Sequence, residues 1–197
     1  MDVKLIVAII GLLVGISGWV TFFYNYIIHK PKINGRIFQP VVGKFSINQK
    51  GGKQRELTSF LVYLYLTTNR RTPVRVLEYK MEVTFTDGTT HKLERVFGST
   101  VENLTFKWIN DAVINPRLSE NLIYKKQTPI EQKDPLHGFV LFAGTEELYS
   151  RNIEKIIITV VDVFGNNHQI SESNMDEKPN IYLLADLAGF DIPDNND

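Results

Sequence analysis

The sequence contains no cysteine among its 197 residues, and this absence excludes disulfide bonds, thiol nucleophiles and thiolate metal clusters. Its four histidines, at positions 29, 91, 137 and 168, show none of the spacings typical of zinc sites. No serine lies in the GxSxG motif of a hydrolase. We therefore expect no catalytic residue, no metal site and no cofactor.

Two short motifs resemble parts of nucleotide-binding sites but lack the remainder. Gly51-Gly52-Lys53 has Ile47 and Gln54 where a phosphate-binding loop requires glycine and Ser or Thr. The segment 162–165 (DVFG) is similar to the kinase DFG motif, but it carries an inserted residue and no companion motif. Both segments instead predict turns, the second one at the end of a strand.

The chain has no excess of either charge, since its formal net charge is zero, but the charges are unevenly distributed. Residues 30–80 carry eleven Lys or Arg against two Glu, whereas residues 175–197 carry one Lys against six Asp or Glu. The basic part has two interpretations: attraction to anionic lipid headgroups, or the solvated face of alternating strands. Nucleic acid is not an expected partner, because the basic residues are dispersed and no reading motif accompanies them.

Charge is missing altogether from the twenty residues Leu5 to Tyr24. At 1.5 Å per residue, a helix of this length covers about 30 Å, the thickness of a bilayer's hydrocarbon core. The run ends in aromatic residues rather than in the small residues of a signal-peptide cleavage site, and it shows no polar stripe at helical spacing. It therefore predicts a single transmembrane helix in the cell membrane.

The C-terminal end of this segment has the composition of a membrane interface. The aromatic residues suited to the interface belt are Trp19, Tyr24 and Tyr26. The basic residues suited to the lipid headgroups are Lys30, Lys32 and Arg36. Lys4 is the one basic side chain before the helix, whereas four follow within residues 30–44. The positive-inside rule accordingly predicts a cytoplasmic C-terminal domain.

Small residues recur along one face of the predicted helix. Ala8, Gly11, Gly15 and Gly18 follow one another at spacings of three, four and three, and Asn25 continues the same face. Such a face favours close approach of a second helix, with Asn25 able to hydrogen-bond across the interface. The alternative is that glycine is simply common in membrane helices.

Strand patterns dominate from Ile33 onward. In residues 77–86 apolar and polar side chains alternate, with Leu77, Tyr79, Met81, Val83 and Phe85 on the face expected to be buried. Asp87-Gly88 then predicts a tight turn, and residues 89–96 a returning antiparallel strand. Residues 59–68 and 155–163 are apolar on both faces and predict central strands, the latter in a hairpin with residues 168–172.

Further strands are predicted at residues 33–39, 45–48, 105–108 and 138–143. The long loop 109–137 is interpreted as a crossover between sheets, with a short helix near residues 119–126. Residues 181–190 are apolar enough to dock against the domain as a helix or an edge strand. The aromatic residues Tyr63, Tyr65, Phe97, Phe106 and Trp108 fit a packed core or a ligand platform, and the core is the simpler interpretation.

The segments SFLVYLYLTTNRRTPVRVLEYKMEVTFTDG, GFVLFAG and KIIITVVDVFGNNHQI resemble those of immunoglobulin-like β-sandwich proteins anchored to bacterial membranes. The resemblance covers residues 33–172 and lies in the rhythm of strands and turns; the Cys-Trp-Cys signature of antibody-type domains is absent. It implies a mainly β fold, with one transmembrane helix followed by an immunoglobulin-like antiparallel β-sandwich. It implies no catalytic residue.

These patterns predict three regions: an anchor at residues 1–29, a β-sandwich at 30–174 and an acidic, partly disordered segment at 175–197. We expect a non-catalytic binding or assembly module that holds a protein partner at the lipid bilayer, with self-association through its helix. Two alternatives stay open. One is a ligand sensor or enzyme with its site in the 109–137 loop, and the other is a structural subunit of a larger membrane complex.

Overall fold

In a computed structural model, the protein is described over residues 3–30, 32–38, 40–48, 54–69, 72–96, 104–106, 113–114, 122–125 and 128–173. The chain divides into two compact units, residues 1–32 and 33–197. The first unit contains one helix, and the second is built from antiparallel strands. The mainly β, antiparallel class predicted from the sequence is confirmed.

Helix α1 comprises Val3–His29, 27 residues, and its side chains are described from Gly11 to Tyr26. All of these described side chains are exposed. Two hydroxyls bond to carbonyls one turn earlier, Ser17 Oγ to Val14 O and Thr21 Oγ1 to Ser17 O, each at 2.8 Å. Over the part of the chain that the structure describes, no helix combines the length and apolarity needed to cross a membrane. The transmembrane assignment of residues 5–24 stays a prediction of the sequence.

The second unit, called the β unit below, contains ten strands and two 3₁₀ helices in its described residues. The strands are β1 Ile33–Ile37, β2 Val41–Asn48, β3 Gln54–Thr68, β4 Val76–Phe85, β5 Thr90–Arg95, β6 Leu104–Phe106, β7 Val113–Ile114, β8 Leu136–Gly144, β9 Ile153–Asp162 and β10 Asn167–Ser173. The 3₁₀ helices are η1 Ile123–Lys125 and η2 Glu146–Ser150. Most predicted strands are therefore confirmed with shifted ends, and the short helix near residues 119–126 corresponds to η1.

The strands form one antiparallel sheet in the order β10-β9-β4-β5-β8-β3-β2-β6-β7, and β1 pairs with β3. The predicted hairpins β4–β5 and β9–β10 are both present, and the first closes through Gly88 at φ +80°. Strand β5 belongs to both halves of the sheet, because residues 90–93 pair with β4 whereas Glu94 and Arg95 pair with β8. This transfer folds the sheet around its apolar core.

Strand β3 occupies the centre and is buried on both faces, as its doubly apolar sequence predicted. Phe60, Val62 and Leu64 contribute to the core, while Leu61 and Tyr63, which point the other way, are also buried. Neighbouring strands extend this second buried face with Val41, Phe45, Phe139 and Leu141. The alternation of side chains therefore gives β3 two apolar environments.

The end strand β10 approaches β1 at Gly35. This residue lies in β1, where a Cβ atom would come within 2.6 Å of Tyr65 O in β3 and 2.8 Å of Ile170 Cδ1 in β10. Glycine therefore permits β1 to lie between β3 and β10. The result is a nearly barrel-like unit rather than two separate sheets.

The predicted inward position of Leu77 is wrong. The pairing of β4 with β9 shifts between Val76 and Glu78, so Leu77 is an extra residue in a β-bulge. Its side chain is 66% exposed, whereas Tyr79, Met81, Val83 and Phe85 are buried as predicted. The period-two pattern fails here because the extra residue of a bulge shifts the alternation, so that the residues before it point to the opposite face of the sheet.

Several predictions lie outside the described residues or side chains. These are the apolar segment 181–190, the acidic segment 175–197, the side chains of Phe97, Phe106 and Trp108, and much of the 109–137 loop. From that loop, Leu122, Ile123 and Ile130 are fully buried. The described part of the loop therefore contributes to packing.

Candidate functional site at the entry end of the β unit

The chain enters the β unit at Ile33, and the structural elements around this point form what we call the entry end. It consists of Ile33, Thr68, residues 75–77 and residues 162–168. Ile33 pairs with Thr68 at the end of β3, and its backbone N–H donates to Nδ1 of His168 at 3.3 Å. The entry point of the chain is thus joined directly to the β9–β10 hairpin.

Asp162 organises this hairpin through its fully buried carboxylate. Oδ1 accepts the backbone N–H groups of Phe164 and Asn166, each at 2.9 Å, and the Asn166 side-chain amide donates to Oδ2 at 2.9 Å. Burial favours the neutral acid, but the hydrogen bonds from His168, Asn166 and Phe164 outweigh it and hold the pKa of Asp162 below its ordinary value. The buried group is therefore a carboxylate that orders the turn.

His168 connects Asp162 to Ile33. Its Nε2 lies 3.0 Å from Asp162 Oδ2, and its Nδ1 accepts the Ile33 N–H. The neutral ring with its proton on Nε2 satisfies both contacts. An Asp–His pair of this kind resembles part of a catalytic triad, but here the second ring nitrogen is occupied by backbone. The pair therefore acts as a clamp between β1 and the hairpin, not as a general base.

The turn beyond this clamp presents apolar side chains to solvent. Phe164 is 66% exposed and Val163 is 49% exposed. Val163 N–H donates to Arg75 O at 3.0 Å, which places the turn beside the bulged Leu77. Leu77, Val163 and Phe164, which we call the apolar tip, are three of the four exposed large apolar residues among the described residues of the β unit; the fourth is Tyr65.

A separate cleft of about 360 Å³ lies where β5 leaves β4 for β8. The lining includes the core residues Tyr79, Met81 and Leu93 and the charged residues Glu78, Lys80, Glu82, Lys92, Glu94 and Arg95. Lys80 pairs with Glu78 at 3.1 Å and Lys92 with Glu82 at 3.5 Å. Burial raises the pKa of Tyr79 far above its ordinary value, although Arg95 acts in the opposite direction. The phenol therefore stays protonated near neutral pH.

Part of the aromatic platform considered from the sequence exists as a packed cluster. Tyr63 is buried and lies edge-on to Phe38 and Phe139, with ring centroids at 5.5 and 4.9 Å. Its hydroxyl is 2.7 Å from Nδ1 of His137, whose ring stacks on Tyr65. Burial raises the pKa of Tyr63 above its ordinary value. For Tyr63, the core interpretation is confirmed.

The residues predicted to form a helix interface lie on α1. A methyl group added at Gly11, Gly15 or Gly18 would meet no atom within 4 Å, apart from the helix's own backbone, and Asn25 is exposed. The side chain of Ala8 lies outside the described residues. These glycines therefore leave one side of the helix open.

The predicted membrane-interface residues are also exposed. Trp19 and Tyr24 are each 65% exposed and Tyr26 is 59% exposed, while Lys30, Lys32 and Arg36 are exposed as well. Trp19 stacks on Phe23 at 5.7 Å. Arg36 belongs to β1, so it is part of the β unit, unlike Lys30 and Lys32.

The entry end was missed from the sequence because each of its residues has an ordinary local explanation. Asp162 and Gly165 correctly predicted a turn, but nothing local links His168 to Ile33, which is 135 residues away. The exposed pair Val163-Phe164 directly after Asp162 was a usable signal, since a turn normally carries polar side chains.

Among the described residues, no group of three or more His, Asp or Glu side chains is placed to hold a metal ion. No protein-family model, curated protein or solved structure matches this sequence.

Proposed function

We propose that this protein is a single-pass, membrane-anchored assembly module whose β unit holds a protein partner at the membrane. The observation that carries the proposal is that every side chain of α1 from Gly11 to Tyr26 is exposed, although most of them are apolar. A contiguous apolar surface of this size requires an apolar environment, either lipid or protein.

A lipid bilayer fits the dimensions and composition of α1. Its 27 residues extend over about 40 Å at 1.5 Å per residue, and the sequence supplies twenty of them without charge. Ser17 and Thr21 satisfy their hydroxyl groups within the helix, as polar side chains in lipid must. Trp19, Tyr24 and Tyr26 suit the interface belt. The positive-inside rule then favours a β unit on the cytoplasmic side of the cell membrane.

The open glycine face supports self-association. In lipid, helices associate through close backbone approach, and Gly11, Gly15 and Gly18 carry no side chain that would prevent it. Asn25 lies on the same face and can hydrogen-bond to its counterpart. A second copy of α1 is therefore the proposed partner in the membrane.

We assign the β unit to the immunoglobulin-like sandwich class within this proposal. The transfer of β5 from β4 to β8 supports the assignment, because the strands on either side of β5 pack on one shared core, as the strands of a sandwich do. A module of this class would present loops and strand edges to a protein partner.

The experiment uses full-length protein inserted into sealed vesicles. Resistance to extraction at alkaline pH, combined with loss of the β unit to protease added on one side only, would support anchoring and define the orientation. Extraction of the intact protein into the aqueous phase would refute the anchor.

Self-association is tested by crosslinking in the same vesicles. Gly11→Leu and Gly15→Leu add bulk to the glycine face, and we expect each to reduce dimer yield several-fold. Val20→Leu is the matched control, since it adds bulk about 180° away around the helix and should leave the yield unchanged. Equal yields from all variants would refute a dimer formed through this face, without bearing on the anchor.

A further inference from the structure

We propose that the entry end of the β unit rests on the bilayer surface, with Val163 and Phe164 in the headgroup region and Arg75 beside anionic headgroups. This inference rests on the proposed membrane anchor. It adds a second, peripheral membrane contact made by the β unit itself.

Most of the exposed apolar surface in the described β unit lies at the entry end. Three of the four exposed large apolar residues in the described β unit lie together at the apolar tip. The opposite end of the unit has a different composition, with Asp87 in its hairpin turn and Glu146 and Glu147 in η2. Apart from Tyr65, the exposed large apolar residues of the described β unit thus lie at one end, as expected of a surface that meets lipid.

Only a short segment of chain separates the end of α1 from the first strand of the β unit. Four peptide units connect His29, the last residue of α1, to Ile33, and an extended chain of that length reaches about 14 Å. Ile33 bonds to His168, His168 to Asp162, and Asp162 to the backbone of Phe164. The apolar tip therefore belongs to the end of the β unit at which the chain enters it, Ile33.

Backbone hydrogen bonds order the turn that carries Val163 and Phe164. The Asp162 carboxylate accepts hydrogen bonds from the backbone N–H groups of Phe164 and Asn166. In the same turn, Asp162 N–H donates to Asn166 O and Gly165 N–H donates to Asp162 O, each at 3.0 Å. Val163 is further held by Arg75 O. Because the backbone is already ordered, insertion of the two side chains would cost little conformational entropy.

Charge selects the kind of lipid surface. Arg75 is exposed beside the apolar tip, and Arg36 is exposed on β1. Among the acidic residues near Arg75, Glu78 pairs with Lys80 at 3.1 Å, while Glu131 and Asp134 lie with Lys133 in the exposed turn that follows the Val74–Ile130 bridge. Exposed arginines next to apolar side chains favour a membrane that contains anionic lipid.

The absence of cysteine permits a clean test with single-cysteine variants of the full chain. An environment-sensitive NBD fluorophore is attached at Phe164→Cys, at Thr86→Cys on the opposite end, and at Phe22→Cys in α1. Each protein is inserted into phosphatidylcholine vesicles with and without phosphatidylglycerol, and quenching by nitroxide-labelled lipid is measured. We expect quenching and a blue-shifted emission at positions 164 and 22, and neither change at position 86.

A second variant tests the chemistry of the contact. With the fluorophore at Val163→Cys, the added substitution Phe164→Asp should reduce lipid quenching several-fold, because it places a charge in the contact. Arg75→Gln should abolish any increase caused by phosphatidylglycerol. Phe164 and Arg75 are both exposed, so the unfolding temperatures of the variants should equal that of the parent protein. This measurement separates loss of the membrane contact from unfolding of the β unit.

The outcomes distinguish this inference from the proposed function. A label at position 22 that stays in water refutes the anchor, and the surface contact with it. A label at position 22 in lipid, with position 164 as aqueous as position 86, overturns the surface contact alone. Equal quenching at positions 164 and 86 also overturns it, since the contact would then lack the specified end.

Discussion

His168 Nε2 lies 3.0 Å from Asp162 Oδ2, and the opposite nitrogen of the same ring accepts the backbone N–H of Ile33. One imidazole thus joins the first strand of the β unit to the carboxylate that orders its last hairpin. His168 is 8% exposed and Asp162 is fully buried, so water cannot replace either contact. This arrangement makes the entry end a cooperative part of the fold.

Replacement of Asp162 by Asn should lower the free energy of unfolding by about 2 kcal/mol or more. The amide NH₂ group would face N–H groups that now donate hydrogen bonds to the carboxylate. Hydrogen bonds to charged groups are worth about 1.5 to 3 kcal/mol. Urea unfolding followed by circular dichroism measures the change. Asp134→Asn is the matched control at an exposed position and should have little effect. Equal effects at the two positions would contradict the clamp.

The stability of the protein should fall as the pH is lowered below about 4. The folded pKa of Asp162 is below its ordinary value of 3.8, so the native state binds fewer protons than the unfolded state between these two values. Stability is therefore fully present above the unfolded pKa and is lost as the pH falls through the folded pKa. Asp87, whose pKa is lowered chiefly by hydrogen bonds from Thr89, acts in the same direction.

The variant Asp162→Asn tests whether Asp162 causes this pH dependence of stability. Unfolding midpoints in urea, measured between about pH 3 and pH 6, should show a shallower acid limb in the variant than in the parent protein. An unchanged slope would mean that Asp162 does not supply the linked proton.

Thr58 and Ser59 are adjacent and fully buried, yet loss of their hydroxyls should have different consequences. Thr58 Oγ1 donates to Thr145 O at 2.8 Å, so Thr58→Val should cost about 1 to 2 kcal/mol. Ser59 Oγ, in contrast, is the one buried side-chain polar atom among the described residues that has no hydrogen-bond partner. Ser59→Ala should therefore leave stability unchanged or raise it by about 1 kcal/mol. A larger loss at Ser59 than at Thr58 would refute this distinction.

Gly35→Ala should destabilise the β unit by about 1 to 3 kcal/mol, a typical cost of overpacking. The added methyl group would lie 2.6 Å from Tyr65 O, a backbone atom that cannot move without disturbing the β1–β3 pairing. Asn34→Ala, an exposed neighbour in the same strand, serves as the control in thermal unfolding. Equal stability of the two variants would contradict the close approach of Gly35 to Tyr65 O.

Local sequence pattern was sufficient for much of the strand content. Period-two alternation located β4 and predicted the buried positions from Tyr79 to Phe85, and Asp87-Gly88 located the turn that follows. The doubly apolar run of β3 predicted its central position. These features succeed because side-chain alternation and turn geometry depend on neighbouring residues.

Leu77 shows where such patterns fail. Its apolar character and its spacing both favour a buried position, but the bulge between Val76 and Glu78 exposes it. The offset arises from pairing with β9, which begins 76 residues later in the sequence. No local pattern contains that information.

The features that lie within one segment were thus available from the amino-acid order: an uncharged helical run with a glycine face, antiparallel strands and their turns. Tertiary structure alone decided that Ile33, His168 and Asp162 form one clamp, that Gly35 lets β1 lie against β10, and that Leu77 joins Val163 and Phe164 in the apolar tip. The physical reason is that strand register and the hydrogen bonds between distant residues are set by the packing of the whole sheet.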